Sequence, residues 1–408
     1  MGFYDHALMK RADSLAPTDD RVRVVTLVDL LSSAGGAEHF ALVIATHLDP
    51  ERFQSTLCVS RWPPPDEYGA DDSGQAALER LRAAGVRFLP LRRRRKVELA
   101  PWARLARFLS SERIDVLHSH KFSSNVPGAL AASVARVPVV LAHEHTWSYE
   151  GQPLRRVLDR QVVARAADRF IAVSRQDQQR MIEIERVPPA RTMFIPIGIL
   201  PPRPPDSRDM RAELGIAPEA PVIGVVGMMR PQKALDVLLR ATKPLVEQWP
   251  QLQLVLVGSG PERQTLEQLT RELGIEPNVR FLGLRNDVPE VLRAFDIAVC
   301  SSDFEGSPAA VLEYMDAELP VVATSVGGIP DMIEVGVHGL LVPPQDSVAL
   351  AAALAELLRD PQRAKEMGRR GRERRRSEFD LGVMMGRLEA LYLERLGEPR
   401  RRGRRARS

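Results

Sequence analysis

Short apolar runs alternate with segments of helical period along nearly the whole chain, and this alternation constrains the fold more than any other feature of the sequence. The run Leu-Val-Leu-Val at 254–257 lacks polar alternation, which is typical of a strand buried on both faces of a parallel sheet. Leu235–Leu245 and Glu262–Leu273 repeat apolar residues at helical spacing. Repeated strand–helix–strand units predict an α/β fold with doubly wound parallel sheets.

The predicted strands form two series, one in each half of the chain. The first series is Val22–Val28, Thr56–Ser60, Val86–Leu89, Val116–Ser119, Val139–Leu141, Arg169–Val173 and Thr192–Ile195. The second is Val222–Val226, Leu252–Val257, Val279–Leu282, Ile297–Ser301, Val321–Thr324 and Leu340–Val342. Between the series lie Pro196, Pro201, Pro202, Pro204 and Pro205, which can continue neither a helix nor a central strand and therefore predict a hinge.

We therefore predict two Rossmann-like domains that face each other across a cleft, as the 408 residues are too many for one core. The predicted parts are a flexible N-terminus at 1–20, a first domain at 21–195, a Pro-rich hinge at 196–206, a second domain at 207–375, a terminal helix at 376–398 that packs back on the first domain, and an Arg-rich disordered tail at 399–408.

The net charge of +4 is a local property of the chain. The last nine residues contain six arginines, between Arg400 and Arg407, which contribute six positive charges. Without them the rest of the chain has a net charge of −2. A second basic block, Arg92–Lys96, precedes an apolar stripe within residues 97–110. The basic tail is explained by a solvated segment, and the apolar stripe by a helix that covers its own sheet. For both features the alternative is attraction to an anionic membrane.

Several classes of protein are excluded by simple counts. The two cysteines, Cys58 and Cys300, cannot form a disulfide framework or a cysteine-based zinc site. The sequence has no apolar run of transmembrane length, and residues 1–20 lack the apolar stretch of a secretory signal. We therefore expect a cytoplasmic protein.

The strongest local motif is Glu305-Gly-Ser-Pro-Ala-Ala-Val-Leu-Glu313. It follows a predicted strand and opens a helix, for which we predict Ser307 as the N-cap and Pro308 as the first helical residue. Ligands of open parallel sheets bind beyond the carboxyl ends of the strands, so Glu305 is expected in that crevice and Glu313 on the inward side of the helix. Free N–H groups at the helix start favour a bound phosphate.

Two His-x-His pairs, His118/His120 and His143/His145, lie on or just after predicted strands. Alternate residues of a strand share one face, and a zinc ion needs three or four converging ligands. Because no Asp or Lys obviously completes such a site, we predict no metal. Gly258-Ser-Gly-Pro-Glu-Arg has Arg263 where a dinucleotide fingerprint needs its third glycine, so a nicotinamide cofactor is not expected either.

Taken together, the motifs over residues 21–395 resemble those of the retaining glycosyltransferases of family 4, which have the GT-B fold. The matching pieces, in chain order, are Gly35–Glu38, Asp115–His120, Glu144-His145, Asp168–Ser174, Ile195–Gly198, Arg230–Lys233, Val257–Pro261, Phe281–Gly283, Glu305–Glu313 and Leu319–Gly328. Each is weak alone, but their shared order is specific.

The resemblance implies transfer of a sugar from a nucleoside diphosphate sugar, as co-substrate and with no further cofactor, to an acceptor hydroxyl held by the first domain. It places Glu313 at the ribose and Glu305 by the sugar. The catalytic residues that it implies are His145, Lys233 and Glu305. The predicted donor-binding residues are Gly35, Gly36, Arg230, Lys233, Gly283, Glu305, Gly306, Ala310, Val311 and Glu313. The chain has no Asp-x-Asp, the metal signature of the other major glycosyltransferase fold, so a metal-independent transfer is expected.

The sequence departs from the family pattern at the cation next to the diphosphate. The family commonly has an arginine directly after the glycine that ends the first strand of the second domain, but here Gly227 is followed by Met228. Arg230 would share a side with Met228 in an extended chain, and we predict that it replaces the missing charge. Ile197 and Ala234 also stand where the family often has asparagine and glycine.

The sequence does not determine the identity of the acceptor. A glycan or a lipid-linked intermediate fits a role in cell-surface glycan or glycolipid synthesis, with peripheral contact to the inner face of the membrane. A nucleotide-sugar epimerase or phosphorylase on the same fold is one alternative. A polyanion-binding protein that uses the Arg-rich tail is another, although specific binding to nucleic acid is not expected.

Overall fold

The computed structural model describes residues 20–32, 36–62, 73–95, 98–145, 152–204 and 206–397. Contacts divide the chain into two compact units, one running to Leu141 and taken up again at Arg395, and one spanning Ala142–Glu394. Gly35, residues 1–19 and the tail from 398 onward lie outside the described residues. The predicted domain boundaries and the hinge stay predictions.

The first sheet has seven strands in the order β3-β2-β1-β4-β5-β6-β7. They are β1 (Val22–Val28), β2 (Phe53–Val59), β3 (Arg87–Pro90), β4 (Val116–His120), β5 (Val139–Glu144), β6 (Arg169–Ala172) and β7 (Thr192–Phe194). Strand β1 runs parallel to β2 and β4, β2 to β3, and β6 to β7. The first predicted strand series is confirmed, with bounds that differ by a few residues.

The second sheet has six parallel strands in the order β10-β9-β8-β11-β12-β13. They are β8 (Val222–Val226), β9 (Gln253–Val257), β10 (Val279–Gly283), β11 (Ile297–Cys300), β12 (Val321–Thr324) and β13 (Gly339–Val342). All five residues of β9 are buried, as its unbroken apolar run predicts. The strand order reverses between β8 and β11, and a ligand of such a sheet binds at that switch point.

The helices follow the strands as the alternating pattern predicts. They are α1 (Gly36–His47), α2 (Ser73–Ala83), α3 (Leu99–Ser111), α4 (Phe122–Ala135), α5 (Pro153–Leu158), α6 (Arg175–Glu183), α7 (Met210–Glu213), α8 (Leu235–Gln248), α9 (Arg263–Leu273), α10 (Val288–Leu292), α11 (Ala309–Asp316), α12 (Ile329–Met332), α13 (Ser347–Arg359), α14 (Pro361–Glu378) and α15 (Leu381–Gly397). Helix α5 continues as a π-helical turn, Asp159–Val163, and a last turn, Ala164–Ala166. No helix of the described residues is long and apolar enough to cross a membrane.

The apolar stripe predicted within residues 97–110 lies on α3. Leu105 and Leu109 are buried in the first unit, and Arg93 is tied to Asp29 by an ion pair of 2.7 Å. The burial of Leu105 and Leu109 agrees with a helix that covers its own sheet, whereas Leu99 at the helix start is 80% exposed. Contact of the stripe with a membrane stays a prediction.

The predicted terminal helix at 376–398 is interrupted. Helix α14 ends at Glu378 and α15 begins at Leu381, because the backbone between them bonds to another segment. Ile199 N–H donates to Phe379 O (3.1 Å) and Leu381 N–H donates to Ile199 O (3.0 Å). Those bonds replace the helical ones, which the 3.6-residue pattern alone does not reveal.

Arg375 is a buried cation beside this interruption, with its side chain 1% exposed. Its guanidinium lies 3.2 Å from the carboxylate of Asp316 and 3.4 Å from that of Asp380. It also donates to Ile199 O at 2.9 Å. One side chain thus joins α11, α14 and the segment after β7.

We predict that Arg375→Met lowers the free energy of unfolding by about 3–5 kcal/mol, because it leaves the buried carboxylate of Asp316 without its cation. Arg372→Met is the matched control on the same helix. Its ion pair with Glu318 is half exposed, so a loss below about 1 kcal/mol is expected. Denaturant unfolding followed by circular dichroism measures both, and equal losses would contradict the role of Arg375.

Candidate functional site

A pocket opens at the carboxyl ends of β8 and β11, where the strand order of the second sheet reverses. It is lined by residues of the two loops that follow these strands, among them Gly227, Met228, Lys233 and Ser302, and by Ala310 of α11. The loops are also bonded to each other, since Asp303 N–H donates to Gln232 O (2.9 Å). Sheet topology therefore brings residues far apart in sequence to one site.

Lys233 and Glu305 form an ion pair in this pocket, with Nζ 2.6 Å from the carboxylate. Ser302 Oγ donates to the same carboxylate oxygen at 2.7 Å, and Ser301 Oγ donates to Lys233 O at 2.8 Å. Burial disfavours the charged ammonium, but the carboxylate of Glu305 outweighs it, so the pKa of Lys233 is raised. Lys233 therefore remains a cation at neutral pH, with its side chain 26% exposed.

The start of α11 differs from the predicted one. Pro308 is the N-cap rather than the first helical residue, because its ψ of 112° is extended, and the helix begins at Ala309. Ser307 Oγ is buried without a hydrogen-bond partner among the described residues, so the predicted cap by Ser307 is wrong. The carbonyl of the neighbouring Gly306 is instead held by Gly328 N–H at 2.7 Å.

The two backbone amides predicted to face a phosphate are not equivalent. The N–H of Val311 already donates to Pro308 O (3.1 Å), whereas the described residues offer no backbone acceptor to the N–H of Ala310. Ala310 also lines the pocket. The helix start therefore presents an N–H donor beside the Lys233 ammonium, which is an arrangement that favours an anion.

Glu313 lies one turn further along α11. Burial raises the pKa of its carboxyl, and no charge or hydrogen bond from the described residues counteracts this. The side chain of Glu313 is half-buried, and a carboxylate in such a position can accept hydrogen bonds from hydroxyl groups of a ligand. The ribose contact of Glu313 stays a prediction.

Arg230 is exposed and has extended dihedrals, with φ of −123° and ψ of 156°. The N–H of Arg230 donates to Met228 O at 2.9 Å, which closes a tight turn over the buried Met229. Met228 and Arg230 are both exposed and Met229 between them is buried, as alternation predicts. The replacement of the missing cation by Arg230 stays a prediction.

Gly283 ends β10, and its carbonyl accepts from Gly258 N–H at 2.8 Å. Gly258 has a φ of +130°, and a Cβ there would lie 2.0 Å from Gly227 O. The Gly258-Ser-Gly motif therefore lets the loop after β8 approach closely. It has a packing role beside the loop after β8, and the expected absence of a nicotinamide cofactor stays a prediction.

Sequence reasoning missed three supports of this loop system. A Cβ at Gly327, whose φ is +55°, would lie 1.8 Å from Glu305 O, so glycine is required beside the Glu305 loop. The hydroxyl of the buried Tyr314 accepts from Val226 N–H at 2.6 Å and fixes the end of β8. The third is Ser302, described above. The Gly-Gly after β12 was a usable signal, but Tyr314 looks like any core aromatic residue.

The remaining predicted residues belong to the seven-stranded sheet. Gly36 opens α1 with a φ of +74°, and Glu38 in the same turn pairs with Lys121 at 2.7 Å. His145 follows β5, half-buried, with its ring stacked on His143 at a centroid distance of 4.7 Å. The roles of Gly36 and His145 toward a donor or an acceptor stay predictions.

The histidines of this sheet also bear on the metal question. His118, His120 and His143 are buried, and their candidate ligand nitrogens lie within 4.8 Å of one another. Burial lowers the pKa of His118 to about 3, so this ring is neutral. The expected absence of a metal stays a prediction.

The comparisons with known proteins agree with this geometry. A family model described as "Glycosyl transferases group 1" matches residues 206–374, and one described as "Glycosyltransferase Family 4" matches residues 34–201. A D-inositol 3-phosphate glycosyltransferase of Thermobispora bispora is 33% identical over 307 residues, which cover 70% of this chain and 71% of that protein.

Solved structures with the same fold cover more than nine-tenths of the chain. HepE from Anabaena, in complex with UDP, aligns with a TM-score of 0.78 at 24% identity over 91% of this chain and 100% of its own. A glycosyltransferase from Rickettsia africae aligns with a TM-score of 0.79 at 17% identity over 93% and 100%. With the two sheets and the pocket at the switch point, these matches show that the chain belongs to the family 4 glycosyltransferases and has the GT-B fold.

Proposed function

We propose that this glycosyltransferase moves a sugar from a nucleoside diphosphate sugar to an acceptor hydroxyl, with retention of the anomeric configuration and without a metal ion. The observation that carries the proposal is the Lys233–Glu305 pair beside the start of α11. The Lys233 ammonium and the N–H of Ala310, to which the described residues offer no backbone acceptor, line one pocket and match a diphosphate. The half-buried carboxylate of Glu313, one turn further along α11, matches a ribose.

The chemical task of these groups is to stabilise charge. As the glycosidic bond to the donor breaks, the sugar becomes oxocarbenium-like and negative charge grows on the leaving diphosphate. Lys233 and the Ala310 N–H are fixed donors next to that charge, and such preorganised donors lower the barrier. Arg230, exposed at the rim, adds a second cation.

Retention of configuration follows from the family pattern. In that scheme the leaving phosphate takes the proton of the acceptor hydroxyl on the face that the phosphate leaves. Glu305 lies by the sugar and holds Lys233 in place, and His145 contributes hydrogen bonding beside the sugar. No residue is required as a covalent nucleophile, and the charge that a metal would supply comes from Lys233.

The nucleotide of the donor is UDP or GDP, and UDP is the first candidate. HepE, which shares the fold, was solved with UDP and with UDP-glucose. The curated relative from Thermobispora bispora is named for D-inositol 3-phosphate, which makes this compound the first acceptor to test. A glycan or lipid-linked acceptor, for cell-surface glycan or glycolipid synthesis, is the second class.

The direct test is product analysis in the presence of EDTA. The protein is incubated with UDP- and GDP-sugars and with each acceptor class, and the product is examined by NMR. The proposal expects an acceptor-dependent α-linked product from an α-linked donor. A β-linked product, a requirement for a divalent metal, or an epimerised donor formed without acceptor would contradict it.

We predict that Lys233→Ala lowers kcat by about 100- to 1,000-fold, because it removes one preorganised donor from the leaving diphosphate. Lys243→Ala, which removes an exposed lysine of α8, is the matched control and should leave kcat unchanged. Circular dichroism and the thermal midpoint verify folding of both variants. Unchanged turnover in folded Lys233→Ala would remove this residue from the mechanism.

We predict that the affinity for UDP falls with decreasing pH from a point above the usual range of a glutamate. Burial raises the pKa of Glu313, and only its carboxylate form accepts hydrogen bonds from both ribose hydroxyls. Binding is therefore strongest above that pKa and weakens as the pH falls through it. Isothermal titration calorimetry across pH measures this dependence.

Two controls isolate the ribose contact. The variant Glu313→Gln should bind UDP about 10- to 100-fold more weakly at neutral pH. Its affinity should also lack the step, that is, the fall in affinity as the pH drops through the pKa of Glu313. The analogue 2′,3′-dideoxyuridine diphosphate has no ribose hydroxyls to donate and should show no step with the unmodified protein. A step of equal size in the variant or with the analogue would assign the titration to another group.

A further inference from the structure

Helix α5 turns apolar side chains to solvent. Leu154 is 69% exposed and Val157 is 53% exposed, and none of the six residues of the helix is buried. The two side chains are three positions apart and share one side of the helix. Ile184, just beyond the end of α6, is 40% exposed.

Two of these apolar residues line one depression. Val157 and Ile184 line a volume of about 290 Å³, together with Pro153, Arg156 and Arg160. Leu154 lies one turn before Val157 on the same side of α5. An apolar side chain of α5 and the one that follows α6 therefore adjoin one surface. We call Leu154, Val157 and Ile184 the α5 face.

The charge around the α5 face is positive. Arg156 and Arg160 line the same depression as Val157, together with one acid, Glu185. Arg155 and Arg165 belong to the same helical stretch, 152–166. Asp159, the acid within the helical stretch, is buried, and burial with the nearby charges of Glu185 and Glu144 raises its pKa to about 9. At neutral pH it is uncharged, so the stretch 152–166 carries only positive charge.

We propose that the α5 face docks on the surface of an anionic lipid bilayer. Apolar side chains on a helix that also carries arginines match the boundary between acyl chains and acidic headgroups. Each basic residue near such a surface contributes further attraction. The contact is interfacial, since the described helices include none that could span the bilayer.

Charge separates this surface from another exposed apolar pair. Leu130 and Val134 on α4 are 53% and 77% exposed, but Phe122–Ala135 contains no charged residue. The α4 pair has the apolar character of the α5 face without its cations. It therefore provides a control of the same residue types.

The test is co-sedimentation of the full chain with vesicles of phosphatidylcholine alone or mixed with phosphatidylglycerol. Raised ionic strength screens purely electrostatic binding, including that of the arginines at 400–407. We expect binding to the mixed vesicles and a loss of at least about tenfold in the partition coefficient for Leu154→Ser with Val157→Ser. Leu130→Ser with Val134→Ser should bind as the unmodified protein does.

A second pair of variants tests the cations. Arg160→Gln with Arg165→Gln should weaken binding to the mixed vesicles at low ionic strength, whereas Arg240→Gln with Arg271→Gln, exposed elsewhere, should not. Thermal midpoints confirm that every variant folds, which is expected because the substituted residues are exposed.

Three results would overturn the proposal. The unmodified chain could stay in the supernatant with phosphatidylglycerol vesicles. The α5 and α4 double variants could bind equally. Sedimentation velocity could show self-association that depends on Leu154 and Val157, which would assign the α5 face to a second copy of the chain.

Discussion

The contact between Lys233 and Glu305 determines how the donor pocket is built. A carboxylate that is only 8% exposed would be costly without a cation and a hydrogen-bond donor, and Lys233 and Ser302 supply both. The pair joins the loop after β8 to the loop after β11, so it stabilises the pocket at the switch point. A diphosphate entering the pocket is a second anion for the same ammonium. In the mechanism proposed above, binding of the donor exchanges part of the contact between Lys233 and Glu305 for contact with phosphate.

The loops around this pair approach each other closely, backbone against backbone, at two glycines. Glycine at 327 admits the carbonyl of Glu305, and glycine at 258 admits that of Gly227. The Tyr314 hydroxyl fixes the end of β8 by accepting the Val226 N–H. These supports touch no ligand in the proposed mechanism. They hold the groups that do, which is the requirement for electrostatic catalysis by fixed donors.

The sequence predicted the architecture well because buried parallel strands have an unmistakable pattern. The run at 254–257 and the matching runs in both halves give the strands of both sheets, and the order of motifs gives the family. Local backbone geometry was less predictable. The tight turn at Met228–Arg230 and the extended Pro308 are local deviations that no periodicity reveals. The interruption after Glu378 depends on hydrogen bonds to Ile199, which is distant in sequence. Patterns of spacing do not contain that partner.

The central claim is that the switch point of the second sheet binds a nucleoside diphosphate without a metal ion. Thermal unfolding with UDP, GDP or ADP, each with EDTA present, tests it most directly. A ligand at 100 times its dissociation constant stabilises by about 2.7 kcal/mol, which corresponds to several degrees. The account predicts such a shift with one nucleotide and its loss in Glu313→Ala. No shift with any nucleotide would contradict the claim and leave the resemblance as one of fold alone.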